Sequence, residues 1–159
     1  MLLVREMNAA DIPAVAEVHR ASFVRQCLSH EWISASFNAR PKTLAFVAER
    51  EGAVAAYIFW TQKSGFRPEV VLELEQLAVH PAHRARGVGR ALIERSLPLV
   101  KALLHEQQGA VLKHVLVTTR ADNHAQQLYR QTLGAEIEAV IPNLYSADEV
   151  LMVARHPPG

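Results

Sequence analysis

Cysteine is almost missing from this sequence. Its single representative in 159 residues is Cys27, so no disulfide can form within the chain, and with no nucleophile motif around it the residue reads as a packed thiol. A reducing, cytoplasmic setting is the expectation. No apolar run approaches the roughly 20 residues that a membrane-spanning helix needs, and the opening MLLVREMNAADIPAV brings Arg5, Glu6 and Asp11 too soon for a signal peptide. No membrane attachment is expected. Charge of one sign is lacking too: 17 Lys+Arg stand against 16 Asp+Glu, a net +1, which excludes the basic face of a general nucleic-acid binder and leaves any cationic chemistry local. Of the eight histidines, none stands in an HExxH array and no CxxC pair accompanies them, so no metal site is expected. Internal repeats and low-complexity stretches are absent as well.

What is present suits one compact domain: 50% of the residues are hydrophobic and 21% charged, enough for a core at this length. The domain is expected over 1–155, with the HPPG end as a frayed tail over 156–159. Periodicity gives an element order. LLVREM reads as a strand, and NAADIPAVAEVHRASF carries Asn/Asp start signals and apolar residues at Ile12, Val15, Val18 and Phe23. HEWISASF follows as a short helix whose Trp32, Ile33 and Phe37 form a packing stripe. TLAFVAER and AVAAYIFWTQ flank Glu51-Gly52, a hairpin signal. VVLELEQLAV is a fourth strand, GVGRALIERSLPLVKALLHEQ a long helix that Pro98 is expected to kink, and HVLVTT a fifth strand. ADNHAQQLYRQTLG is a helix capped by Asp122 or Asn123 and stopped by Gly134, and AEIEAVIP and EVLMVAR supply two last strands. This order predicts a mixed α/β sheet of about seven strands with two strand-to-helix crossovers in its second half.

The stretch AVHPAHRARGVGRALIE joins the fourth strand to the long helix. A helix that starts at Gly87 leaves its first N–H groups without internal acceptors, and glycines at 87 and 89 let a bulky anion approach that backbone. Arg84, Arg86 and Arg90 surround the turn, and the peptide dipoles add positive potential, so a diphosphate is the natural guest. GVGRAL lacks the lysine and hydroxyl of a triphosphate-binding P-loop. It also lacks the third glycine, and the place after the first strand, that a dinucleotide fold requires.

Arg84-x-x-Gly87-x-Gly89, preceded by LAVHP and followed by RALI, resembles instead the acyl-coenzyme A loop of the GCN5-related N-acetyltransferases (GNAT). The resemblance runs from LVREM to LMVAR and is strongest over 70–134. It implies a three-layer α/β/α fold with a mostly antiparallel sheet splayed between strands four and five, and acetyl-CoA as co-substrate. The backbone of Arg84, Ala85, Arg86, Gly87, Val88, Gly89 and Arg90 would cradle the pyrophosphate. Leu77, Ala78 and Val79 would run beside the pantetheine, with the backbone of Leu77 and Val79 also polarising the thioester carbonyl.

Acetyl transfer to an amine needs a neutral amine and a proton for the departing thiolate. Glu73 and Glu75 are two apart, so on a regular strand they share a face with Leu77 and Val79, and two close carboxylates raise at least one pKa. In similar enzymes a glutamate at one of these places is the general base; the sequence does not choose between them. The family helix after strand five usually reads Asn-x6-Tyr-x3-Gly, with the asparagine near the cofactor and the tyrosine as acid. Counting without gaps from Asn123 puts Arg130 at the tyrosine place and Tyr129 one residue early, a turn of about 100° around a helix. Tyr129 is the candidate acid and Tyr145 the reserve. His124, near the helix start, either touches the cofactor or is surface.

Substrate choice in such enzymes lies in the first helix pair and in the loop between the last two strands, which makes Trp32 and Tyr145 candidate acceptor contacts, with Asp148 and Glu149 as loop charges able to attract a cationic amine. IPNLYSADEVLMV is similar to the corresponding loop of protein N-terminal acetyltransferases. The acceptor is therefore either a protein or peptide N-terminus or a small-molecule amine. A domain that binds acetyl-CoA as a sensor without turnover is the alternative. The apolar last strand leaves room for a homodimer.

Overall fold

In the computed structural model, which describes residues 1–158, seven strands form one sheet. β1 (Leu2–Glu6), β2 (Thr43–Arg50), β3 (Ala53–Gln62) and β4 (Glu69–Val79) pair antiparallel in sequence order. β5 (Val111–Arg120) joins β4 in parallel, and β7 (Glu149–Ala154) is inserted antiparallel between β5 and β6 (Glu136–Ile141). The expected mixed sheet with two crossovers is thus what forms. Because β7 lies inside the sheet, the free edge belongs to β6, whose Ile137 and Val140 are exposed, and not to the last strand.

The β2–β3 hairpin closes where the sequence signals it: Glu51 and Gly52 both take positive φ (54° and 79°), the backbone of a tight hairpin turn that matches strand twist. Alternation along β3 then splits the core. Ile58 and Trp60 face α3 (Val88–Gln108) and α4 (Ala125–Leu133), while Tyr57 and Phe59 face α1 (Ile12–Ser22) and α2 (Ser29–Asn38). Each such fully buried side chain contributes about 1.5–3 kcal/mol, so the two layers hold the sheet from both sides. Trp60 Nε1 adds a hydrogen bond to Ser96 Oγ on α3 (2.9 Å).

Local chemistry sets the helix boundaries. Asn8 and Asp11 cap each other's backbone amides across a single 3₁₀ turn, Ala9–Asp11, so α1 begins at Ile12 and not at the asparagine. Asp11 also receives Arg5 in a bidentate contact (2.8 and 2.9 Å). α3 runs through Pro98 as one helix. α4 starts at Ala125, after His124, which makes no side-chain cap bond; of the two expected caps, Asp122 is drawn to Arg120, while Asn123 Oδ1 accepts from Ala125 N (2.8 Å) and so caps the helix start. Gly134 ends α4 at φ 71°, as expected of a left-handed stop. Cys27 is exposed between α1 and α2 and is not a packed thiol. The tail expected to fray follows α3, where Lys101 Nζ donates to the carbonyl oxygens of Pro157 and Pro158; Gly159 lies outside the described residues. None of the described helices is long and apolar enough to cross a membrane.

Candidate functional site

β4 and β5 stay paired only from Glu69↔Val111 to Glu73↔Leu116. Beyond that point the strands splay, and a cleft of about 570 Å³ opens between them, within the range of small-molecule sites. Its floor is the free flank of β4. His80 N donates to Ala55 O on β3 (2.8 Å), so by strand alternation the polar backbone of Val79 and Leu77 turns toward the open side. The Val79 carbonyl is held there by Arg84 Nε (3.1 Å) and Ser22 Oγ (3.3 Å).

The regular alternation expected along LELEQL is broken. Phe59 pairs with Gln76 and Trp60 with Leu74, leaving Glu75 as the extra residue of a β-bulge. The phase therefore changes at Glu75: Leu77 and Val79 pack with Leu72 and Leu74 toward α3, not on one face with Glu73, while Ala78 joins the α1–α2 side. Both glutamates still line the cleft. Their surroundings differ. Glu73 is ion-paired with Lys63 (3.0 Å). Glu75 reaches solvent through the cleft mouth, yet desolvation pushes its carboxyl above the ordinary range, the Glu73 charge adds to that, and Lys63 and Lys42 offset part of it.

A carboxyl raised by folding stabilises the folded chain most below its unfolded value and loses that contribution as pH climbs through the folded value. Glu75→Gln is accordingly expected to raise Tm at about pH 8 and to lose that advantage near pH 4, where the wild-type carboxyl is protonated. Thermal scans of both proteins at the two pH values check the sign.

Opposite β4, the wall comes from β5 and α4. Tyr129 is 7% exposed, with its ring in the core, and lines the cleft. Burial pushes its hydroxyl up to about 12, so it stays a proton donor at neutral pH. Arg130 is exposed and lines a separate groove with Arg90, Asn123 and His124. The early tyrosine, not the residue at the gap-free position, is the one beside β4. Asn123 lines both groove and cleft.

At the far end of β4, Ala85 (φ 62°) and Gly87 (φ 73°) curl the chain into α3. The first helical bond runs from Ala91 N to Gly87 O (3.0 Å), which leaves the amides of Val88, Gly89 and Arg90 without intrahelical acceptors. Such a curled backbone at a helix start suits an anion, and Arg86 beside it is exposed. The two glycines serve different ends. Gly87 needs its positive φ, and nothing lies within 4 Å of a Cβ placed there. At Gly89 a Cβ would touch Val79 Cγ2, Leu128 Cδ2 and Leu77 Cδ2 (3.7–3.9 Å), so its bare side faces packed side chains of β4 and α4.

The remaining wall of the cleft comes from the α1–α2 segment and the β6–β7 loop. Trp32 is 42% exposed and stands apart from the buried Ile33 and Phe37; its Nε1 donates to Gln76 Oε1 (3.1 Å), which also accepts from Tyr57 OH (2.6 Å). Tyr145, 72% exposed, lines the cleft from the other side. Gln26 reaches the cleft from a buried set: His19 Nδ1 meets Ser29 Oγ (2.7 Å) and Nε2 meets Gln26 Oε1 (2.9 Å). With the amide oxygen as acceptor, Nε2 carries the proton and Nδ1 accepts from the serine. Sequence reasoning missed Gln26, Gln76 and the bulge, because an unbroken apolar-polar alternation carries no sign of an inserted residue. Among the described residues, no three His, Cys, Asp or Glu side chains gather to hold a metal.

Comparison with known proteins agrees with this geometry. The profile of the acetyltransferase (GNAT) domain matches residues 41–132, the stretch that contains the cleft floor, the glycine turn and Tyr129. The L-amino acid N-acyltransferase MnaT of Escherichia coli (strain K12) is 30% identical over 156 residues, covering 89% of this chain and 83% of the relative. Two solved structures share the fold at lower identity. The ribosomal-protein-S18-alanine N-acetyltransferase of Escherichia coli superposes with a TM-score of 0.78 at 21% identity, over 100% of this chain and 96% of that one. The yncA protein of Salmonella typhimurium, solved with its cofactor acetyl-CoA, gives 0.73 at 18% identity over 99% and 95%. A profile match across more than half the chain and a 30% identical relative spanning most of both proteins carry the same conclusion: the chain belongs to the GNAT family of acetyltransferases.

Proposed function

We propose that the cleft transfers acetyl from acetyl-CoA directly to a primary amine, with Glu75 as general base and Tyr129 as general acid. The observation that carries this assignment is the shared cleft: a desolvated carboxyl on the bulge of β4 and a buried tyrosine on α4 face one opening where the sheet splays. When bound, acetyl-CoA supplies the activated acetyl group and a thiolate leaving group. The amides of Val88, Gly89 and Arg90, with Arg84 and Arg86, would hold its diphosphate, and Leu77, Ala78, Val79 and Asn123 would line the arm that leads to the thioester.

The proton steps divide by environment. A carboxyl with a raised pKa is better matched to an ammonium than a free carboxylate, so Glu75 strips the acceptor directly or through water. Glu73, held by Lys63, acts through its charge on Glu75. Tyr129, protonated at any working pH, returns a proton to the departing sulfur. The acceptor enters past Trp32 and Tyr145, as a small amine or a peptide N-terminus, and a second copy of the chain would have to dock on the β6 edge.

Incubation of the protein with acetyl-CoA and a panel of amines and peptides, with free thiol read out, is expected to show turnover. Cofactor-dependent thermal stabilisation without thiol release on any acceptor would favour a sensor instead. Tyr129→Phe keeps the ring that packs the core and removes the hydroxyl. It is expected to lower kcat by about 10²-fold or more with CoA affinity retained; unchanged kcat in steady-state assays would take the acid role from Tyr129.

A further inference from the structure

Glu149 is 5% exposed at the start of β7, yet it lines the cleft, and its side chain makes no hydrogen bond or ion pair to another described residue. We infer that Glu149 forms an anionic subsite for a second positive charge on the acceptor, so that the enzyme selects dicationic amines, such as terminal diamines, over monoamines and amino acids. This rests on the acetyltransferase reading of the same cleft and names its substrate class.

The charges of the cleft are lopsided. Three glutamates wall it, Glu73, Glu75 and Glu149, and no lysine, arginine or histidine does. Glu73 is ion-paired with Lys63 at 3.0 Å. The cation nearest in register to Glu149 is Arg120, its partner across the β5–β7 ladder, but that guanidinium is turned to Asp122 (3.2 and 3.4 Å). Glu75 and Glu149 are thus left without an ion pair, on β4 and on β7, with Lys63 and Lys42 acting on the first and Arg120 on the second only through longer-range charge. Glu149 is buried as a residue while its side chain borders the cleft, and a ligand cation is the partner that this geometry leaves room for. Desolvation raises the Glu149 carboxyl, Arg120 lowers it and Asp122 raises it; a bound cation would offset the first of these.

Spacing sets the ligand's reach. β5 alone separates β4 from β7, so the backbones of Glu75 and Glu149 lie at least about two strand spacings apart, roughly 10 Å, before the splay and their offset along the strands add to it. A terminal diamine of moderate length spans that distance, with one amine at Glu75 and the other at Glu149. A carboxylate in the second place would meet Glu149 and find no cation in the cleft wall, which sets this chain apart from an acceptor site for amino acids.

The test compares hexylamine, 1,6-diaminohexane and 6-aminohexanoate, which vary the second charge at constant length, in wild type and Glu149→Gln. In wild type kcat/KM is expected to fall in the order diamine, monoamine, amino acid, with the diamine ahead by at least about tenfold, and Glu149→Gln is expected to bring the diamine-to-monoamine ratio toward one. Equal kcat/KM for the three acceptors in wild type, or a ratio that survives the substitution, would overturn the assignment. Calorimetric binding of the diamine and the monoamine to the CoA-loaded protein separates this from a failure of the acetyl-transfer reading, since it needs no turnover. Tighter binding of the diamine by wild type supports the subsite, and equal binding overturns it.

Discussion

Glu75→Gln is expected to lower kcat by about 10²- to 10⁴-fold while CoA affinity stays within about twofold of wild type. The loss follows from position. Glu75 is the inserted residue of a bulge, and its carboxyl is raised by desolvation and by Glu73. The amide isostere keeps the shape and removes the proton acceptor. Because the base must be ionised, wild-type kcat/KM is expected to rise with pH through a value above the ordinary carboxylate range, and the variant should lack that limb. Glu73→Gln should cost less, since it removes a charge that is already paired with Lys63. A larger loss from Glu73→Gln, with Glu75→Gln active, would reverse the assignment of base and neighbour.

Gly87→Asp is expected to weaken CoA binding by about 100-fold or more, some 2.7 kcal/mol, without unfolding the chain. Space is available, because nothing lies within 4 Å of a Cβ at this position. The left-handed backbone, φ 73°, is one that Asp and Asn tolerate better than other side chains. What changes is charge: a carboxylate would sit at the helix mouth, where a diphosphate needs free amides and positive potential. Gly87→Asn supplies the same bulk without the charge and is expected to bind within several-fold of wild type. Calorimetric titration of the pair with CoA decides the matter; equal affinities would mean that the turn does not hold the diphosphate.

Much of this was legible because its signals are local. Glu51-Gly52 demands a tight hairpin, Gly134 a left-handed stop, and the glycine turn after β4 leaves a helix start open. The element order then fixes two crossovers, and the family resemblance supplies the splay that the β4–β5 register bears out. What stayed hidden depends on contacts between distant residues. LELEQL alternates without a fault, so only pairing against β3 reveals that Glu75 is extra and that Leu77 and Val79 change face. Glu149 looks like one charge of a polar loop until β7 is seen between β5 and β6, where it becomes a buried wall of the cleft. Trp32 reads both as part of an apolar stripe and as an acceptor contact; what the sequence does not show is Gln76, whose side chain receives its Nε1 beside the cleft. Cys27 fails for the opposite reason: the average behaviour of a residue type says nothing about a segment that no helix covers.

The tyrosine register shows how the two kinds of information combine. A gap-free count places Arg130 where an acid is wanted, but the helix begins at Ala125, with Asn123 and His124 still outside it, and Tyr129 is the side chain that turns inward. Its neighbour faces the outer groove with Arg90. Spacing along a helix is counted from where the helix starts, and that start depends on Asn123 holding Ala125 N.

A crystal structure of the protein with CoA bears most directly on the central claim, that the splay between β4 and β5 seats the thioester carrier beside Glu75 and Tyr129. The diphosphate is expected against the amides of Val88 to Arg90, the pantetheine along Leu77 to Val79, and the sulfur within reach of the Tyr129 hydroxyl. A carrier bound on another face of the sheet, or a sulfur remote from both Glu75 and Tyr129, would contradict it.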